Sequence, residues 1–214
     1  MQARPVGVAV SAAFADLDDD WPILRAALAA RALEPIPFTW DPTQGAASPA
    51  TRGRDLDGDR PRSDRAPARR AGGRGDPPPG VEAVLVTYVW GYVSNREAFL
   101  AWAERTAPTA QLINPLPVLR WNTDKTYLAD LDRAGIPTVP TTFLAPSQDW
   151  SPPSADYVVK PTVGSSGWLA ARYVDADASA PREHVARRGP HGHAPAIPAL
   201  RGRRRGDRHA RLSP

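Results

Sequence analysis

Apolar positions fall into short runs separated by polar, alanine-rich or proline-rich stretches, and the period within each run predicts an element. Residues 6–11, VGVAVS, are small, apolar and β-branched, the make-up of a buried strand. Trp21, Leu24 and Leu28 then recur at helical spacing in a run that extends to about Leu33. Asp18 or Asp19 can cap that helix and Pro22 suits its first turn. The acidic residues 16–20 therefore read as complements to a helix dipole, not as a metal site. Residues 36–40 read as a second strand. Strand, helix and strand in this order form a βαβ unit, which implies a parallel sheet. No G-x-G-x-x-G follows the first strand, so a dinucleotide fingerprint is absent.

The same alternation resumes at Val81. VEAVLVTYVW predicts a strong strand in which Val84, Leu85 and Val86 suit burial on both faces. Asn95 can cap a helix whose Phe99, Trp102 and Ala103 share one face. Residues 111–114 form a short strand that Pro115 ends. Together these segments predict a small three-layer α/β domain with a parallel sheet over residues 1–117. Next, Asn122 can cap a helix with Tyr127, Leu128 and Leu131 on its apolar face and Gly135 at its C-terminal end. Residues 136–144 are extended and broken by two prolines. Residues 157–160, YVVK, predict a strand that delivers one lysine to a glycine-serine loop, TVGSSG. YVDADASAPREHV hints at one more strand and a helix start.

Two segments break the pattern. Residues 45–80 hold almost no large apolar residue except Leu56, and residues beyond Arg187 show no helix or strand period. Neither buries enough surface to offset its ordering entropy, so disorder is expected in both, with the basic tail taken as residues 181–214. Composition sharpens this division. The chain has a net charge of +4. Residues 46–80 carry +3 and residues 181–214 carry +7, leaving −6 on the rest. A nucleic-acid reading would rest on these segments alone. RGRRRGDRHAR could neutralise phosphates, but it lacks interleaved aromatic residues, so only non-specific, salt-dependent binding is expected. Both segments are rich in Arg, Gly, Pro and Ala and begin abruptly, which matches the translation of a GC-rich coding strand out of frame.

With no cysteine, the chain has neither a disulfide framework nor a thiolate metal site. No apolar run is long enough to span a bilayer. VGVAVSAAFA imitates a signal-peptide core, but only Arg4 supplies a basic flank and a helix follows at once, so the strand reading is preferred and a cytoplasmic protein is expected.

Among 27 basic residues only two are lysines, Lys125 and Lys160. A triphosphate is held by cations and by backbone N–H groups of a tight loop. In KPTVGSSG, Gly164 and Gly167 bracket Ser165 and Ser166, whose hydroxyls add donors, and Thr162 opens the loop. Lys160 ends a strand, which fixes its position. This is not a P-loop, because the lysine precedes the glycines. If Asn122 is the N-cap, Lys125 falls at the third helical position, where it opposes the helix dipole at a cost of ~0.5 kcal/mol unless an anion sits there.

INP…RWNTDKTYLADLDRAGIPTVPT…DYVVKPTVGSSG resembles the start of an ATP-grasp ligase, nearest to the group of the cycloserine-biosynthesis ligase, with glutathione synthetase and ribosomal-protein glutamate ligases as wider relatives. The earlier VTYVWGYVSNREAFLAW, with Trp90, Gly91 and Tyr92, resembles the pre-ATP-grasp domain of that group. The resemblance covers roughly residues 5–44 and 81–178. It implies a Rossmann-like pre-ATP-grasp domain, the N-terminal part of an ATP-grasp domain over residues 118–180, and ATP with Mg²⁺ as cofactors. It assigns Lys125 and Lys160 to the ATP phosphates and residues 162–167 to the covering loop. It also implies a small carboxylate substrate, activated as an acyl phosphate and then attacked by an amine or similar nucleophile. The family holds Mg²⁺ with a later Asp and a Glu-x-Asn pair. Beyond Tyr173 this chain has only Asp175, Asp177, Glu183 and Asp207, and no Glu-x-Asn. No catalytic residue and no metal ligand is therefore assigned, and an incomplete, inactive ligase is expected, with nucleotide binding without catalysis as the alternative.

Overall fold

The computed structural model describes residues 3–12, 20–41, 75–144, 150–151, 156–165, 167 and 169–173, together with the backbone of residues 195–198. Two compact units divide at Thr123/Asp124, a few residues beyond the boundary expected at residue 117.

The first unit is built on a four-stranded parallel sheet in the order β2-β1-β3-β4. Its strands are β1 (Arg4–Val10), β2 (Leu33–Thr39), β3 (Ala83–Tyr88) and β4 (Gln111–Ile113). Helix α1 (Trp21–Ala29) crosses from β1 to β2, with Pro22 in its first turn as expected. The helix is shorter than its apolar period implied. Ala32 takes a left-handed backbone (φ 53°), the chain turns, and Leu33 starts β2 in register with Arg4. Burial in a parallel ladder outweighs helix propensity across residues 33–35. Asp20 holds the N-cap position without a capping bond, and its carboxylate accepts from the Tyr88 hydroxyl at 2.9 Å. Asp18 and Asp19 lie outside the described residues.

Both faces of the sheet are covered, which gives the three layers. On one side, Trp21 and Leu24 of α1 pack on Val8, Val10, Leu85 and Tyr88. On the other, helix α2 (Arg96–Thr106) buries Phe99, Trp102 and Ala103 against Ala9, Phe38, Trp40, Val84 and Val86. Asn95 caps α2 as its position predicted, accepting from Ala98 N–H at 3.0 Å. The aromatic rings interlock. Trp40 meets Phe99 edge-on at 5.2 Å, and Phe99 stacks on Trp102 at 5.6 Å. Alternation along β3 is what splits Val84 and Val86 from Leu85, so the two-faced burial read from the sequence holds.

The end of the expected disordered segment departs from its composition. Gly75 is buried, and its carbonyl accepts from the Trp102 indole N–H at 2.9 Å. Its backbone is left-handed (φ 72°), and a Cβ there would lie 2.0 Å from the Trp40 carbonyl oxygen. Only glycine fits so close to another main chain. Residues 75–80 are thus part of the ordered first unit, because a hydrogen bond to the core does not need a large apolar side chain.

After β4, Pro115 and Pro117 open helix α3 (Leu116–Asn122). The second unit contains helix α4 (Tyr127–Arg133) and a four-stranded sheet in the order β5-β8-β6-β7. The strands are β5 (Thr141–Phe143), β6 (Tyr157–Pro161), β7 (Ala171–Tyr173) and β8 (Pro195–Pro198), and all three pairings are antiparallel. Strand β8 falls inside the tail expected to be disordered. Strand pairing is a backbone interaction, and the two prolines sit at its ends, where a missing N–H is tolerated. Gly135 closes α4 as expected, with φ 73° and Ile136 N–H donating to the Leu131 carbonyl. Behind the sheet, Leu144, Tyr157 and Val159 are buried, with Trp150 and Tyr173 packed against them. Among the described residues no helix is long and apolar enough to cross a membrane.

Candidate functional site

Strand β6 carries Lys160 near its C-terminal end, paired with Ala196 of β8 and followed directly by the glycine-serine loop. Alternation along YVVKP buries Tyr157 and Val159, so Lys160 falls on the less buried register and stays half-exposed. The loop then turns inward: Thr162, Val163 and Gly164 are buried, Ser165 is half-exposed and Gly167 is exposed. Gly167 is left-handed (φ 71°), and its carbonyl accepts from Ala170 N–H at 2.9 Å. Ser166 lies outside the described residues.

Lys125 reaches this loop by a route the sequence did not suggest. Asn122 is the last residue of α3 and does not cap a helix. The Thr123 amide and hydroxyl both donate to the Leu119 carbonyl, at 3.3 and 2.6 Å, which ends α3. Asp124 accepts from Thr126 N–H at 3.1 Å, a short polar turn that competes with continuation of a helix. Lys125 therefore stands on a turn between two short helices and not at a third helical position, and the helix-dipole argument for it falls away.

The geometry still joins the two predicted elements. Lys125 N–H donates to the Thr162 carbonyl at 2.9 Å. The Lys125 ammonium donates to the same carbonyl at 3.3 Å and to the Gly164 carbonyl at 2.5 Å. A Cβ on Gly164 would come within 3.0 Å of Pro161 Cγ and 3.7 Å of Lys125 Nζ, so the glycine makes room for this approach. Burial pushes the Lys125 ammonium down from 10.5 to about 8, the positive charge of Lys160 adds to the shift, and Asp124 opposes it. Two cations that act on each other, one of them half stripped of water, form a site that an anion would relieve. The carbonyl contacts do not offset the desolvation.

Of the predicted residues, Lys125, Lys160, Thr162, Gly164 and Ser165 are gathered around one loop. The two accepting carbonyls were missed, while Asp124, whose charge offset beside Lys125 is legible in the sequence, was not taken as a site residue. Asp124 had a signal, an Asp three residues before a helical run. The carbonyls had none, because main-chain acceptors carry no residue identity. A magnesium ion needs several hard oxygen donors. Among the described residues no group of three or more His, Asp or Glu gathers, and Asp124 is the one carboxylate acting on Lys125. These residues do not fit a protein-held magnesium ion. Asp175 and Asp177 lie outside the described residues.

No family model matches the chain. The cycloserine biosynthesis protein DcsG of Streptomyces lavendulae is 38% identical to it over 116 residues, which make up 50% of this chain and 39% of that protein. The crystal structure of the D-cycloserine synthetase DcsG matches with a TM-score of 0.66 at 26% identity, over 92% of this chain and 59% of that one. An ADP complex of purK, an N5-carboxyaminoimidazole ribonucleotide synthetase, is more distant, with a TM-score of 0.48 at 11% identity. The chain thus spans well under two thirds of the relatives it matches. The chain is thus similar to part of the cycloserine protein, in sequence over half of its own length and in fold over most of it.

Proposed function

We propose that this chain binds ATP, with Lys125 and Lys160 on the phosphates and residues 162–167 as the loop beside them. The observation that carries the reading is the pair of mutually repelling lysines, one desolvated, set against a loop with Gly164 at its turn. An anion nearby would favour the charged form of Lys125, and a triphosphate carries enough charge for both lysines. In a chain of the relatives' full length, the bound ATP would activate a small carboxylate as an acyl phosphate for attack by an amine or similar nucleophile. For these 214 residues by themselves the proposal is binding and not ligation, because the sequence has no Glu-x-Asn pair.

Calorimetric titration with ATP and magnesium tests this. The unaltered chain should bind, and Lys125→Ala and Lys160→Ala should each weaken binding at least about tenfold, the loss expected when a charged hydrogen bond is removed. Equal affinity in all three proteins would overturn the assignment of the lysines.

A further inference from the structure

The Lys125 contacts describe more than a group waiting for a ligand. Lys125 is joined to the loop twice over, through its main chain and through its side chain, and both converge on Thr162. The ammonium then goes on to the Gly164 carbonyl. Thr162 and Gly164 flank Val163, a fully buried residue that anchors the turn in the interior. A lysine ammonium has three N–H donors and no acceptor. Two of the three are occupied by these carbonyls.

We infer that Lys125 is a clip: its backbone N–H and its ammonium together hold the turn at residues 162–164 in shape before any ligand arrives, and one ammonium proton is left over for an anion. The leftover proton rests on the ATP reading above; the clip does not. Lys125 is in this respect a positioning residue for the loop. Its neighbour Asp124 accepts from Thr126 N–H through Oδ1. The charged groups acting on the ammonium are Lys160, which disfavours its charge, and Asp124, which favours it. Lys160 therefore works against the clip electrostatically and cannot replace it. Arginine can, since its N–H donors also reach carbonyl oxygens, whereas methionine keeps the apolar stem and the backbone N–H but removes every side-chain donor.

The test is NMR on the full chain without nucleotide, reading carbonyl ¹³C shifts of Thr162 and Gly164 and ¹⁵N order parameters at residues 162–165. Lys125→Met should move both carbonyl shifts and lower the order parameters from about 0.85 to below about 0.6. Lys125→Arg should restore the order parameters, and Lys160→Met should leave them unchanged. In the unaltered chain the Gly164 carbonyl shift should titrate with a midpoint of about 8, where Lys125 loses its proton, and in Lys125→Arg that titration should vanish. Unchanged signals from the core of the second unit, on Leu144, Tyr157 and Val159, show that Lys125→Met still folds. Order parameters that stay high in Lys125→Met would overturn the clip. A clip that fails while ATP still binds refutes this inference alone, and a clip that holds while ATP does not bind supports it and refutes the functional reading.

Discussion

The two units are held in different ways. In the first, thirteen buried residues on one side of the sheet form a single cluster centred on Phe38, Trp40, Phe99 and Trp102. In the second, the buried cluster among the described residues is Leu144, Tyr157 and Val159. The second unit compensates with backbone pairing on both sides of β6 and with the Lys125 contacts to the loop. Burial of large rings gives the first unit rigidity that does not depend on ionisation. The second unit places a titratable ammonium among its structural contacts, so its shape and its chemistry share one group. A scaffold built by packing and a site built by hydrogen bonds respond differently to mutation, pH and ligand.

The sharpest way to break the contrast is in the aromatic core. Trp102→Ala removes a fully buried ring that touches Phe38, Trp40 and Phe99, and it strands the Gly75 carbonyl. A loss of about 4 kcal/mol is expected in chemical denaturation of the first unit. A loss below about 1 kcal/mol would mean that the ring cluster does not hold the unit. Gly75→Ala should cost nearly as much, about 3 kcal/mol, because a methyl group cannot share space with the Trp40 carbonyl and the backbone is left-handed. A near-neutral Gly75→Ala would return residues 75–80 to the class of unpacked linkers.

The second unit should respond to pH where the first does not. Lys125 holds its proton up to about pH 8 in the folded chain and up to 10.5 as a free lysine. Between those values the unfolded state binds more protons, so folding stability rises with pH across that window, and the desolvation penalty is fully present below it. A bound anion would pull the Lys125 pKa back up. If the chain binds ATP as proposed, affinity should be highest below pH 8 and fall by up to about tenfold per pH unit above it, with a proton taken up on binding near that pH. Calorimetry in buffers of different ionisation enthalpy reads the proton directly. Affinity that stays flat from pH 7 to pH 9.5 would remove Lys125 from the anion site.

The smallest effect is expected behind the loop. The Tyr157 hydroxyl is buried with no hydrogen-bond partner among the described residues, and its ring packs on Trp150 and Tyr173. Tyr157→Phe should leave the second unit unchanged or stabilise it by about 1 kcal/mol, since the change removes an unsatisfied polar atom and keeps the ring contacts. A comparable loss in thermal melting would reveal a partner for that hydroxyl.

What could be read from the sequence follows the same division. Strands β1 and β3, the βαβ unit, the Asn95 cap and the buried face of α2 all announce themselves through apolar period and cap chemistry, because packing selects side chains. Gly75 and β8 did not announce themselves, since one contributes a carbonyl and the other a backbone ladder, and neither requires a diagnostic side chain. At the site, the lysine-glycine spacing of YVVKPTVGSSG was legible, and the structure sets Lys125 beside that loop. The path of Lys125 was not. Proline residues 115 and 117 started α3 earlier than the Asn122 cap implied, and the polar turn at Asp124 ended helical continuity before Lys125.

The measurement that bears most directly on the central claim is a pair of titrations, ATP and inorganic tripolyphosphate, on the unaltered chain, Lys125→Ala, Lys160→Ala and the double variant. If both lysines face one chain of phosphates, each single change weakens both ligands by the same factor, at least about tenfold, and the double variant binds neither at millimolar concentration. If the variants lose ATP but keep tripolyphosphate, or keep both, the lysines do not hold the phosphates and the account of the site is wrong.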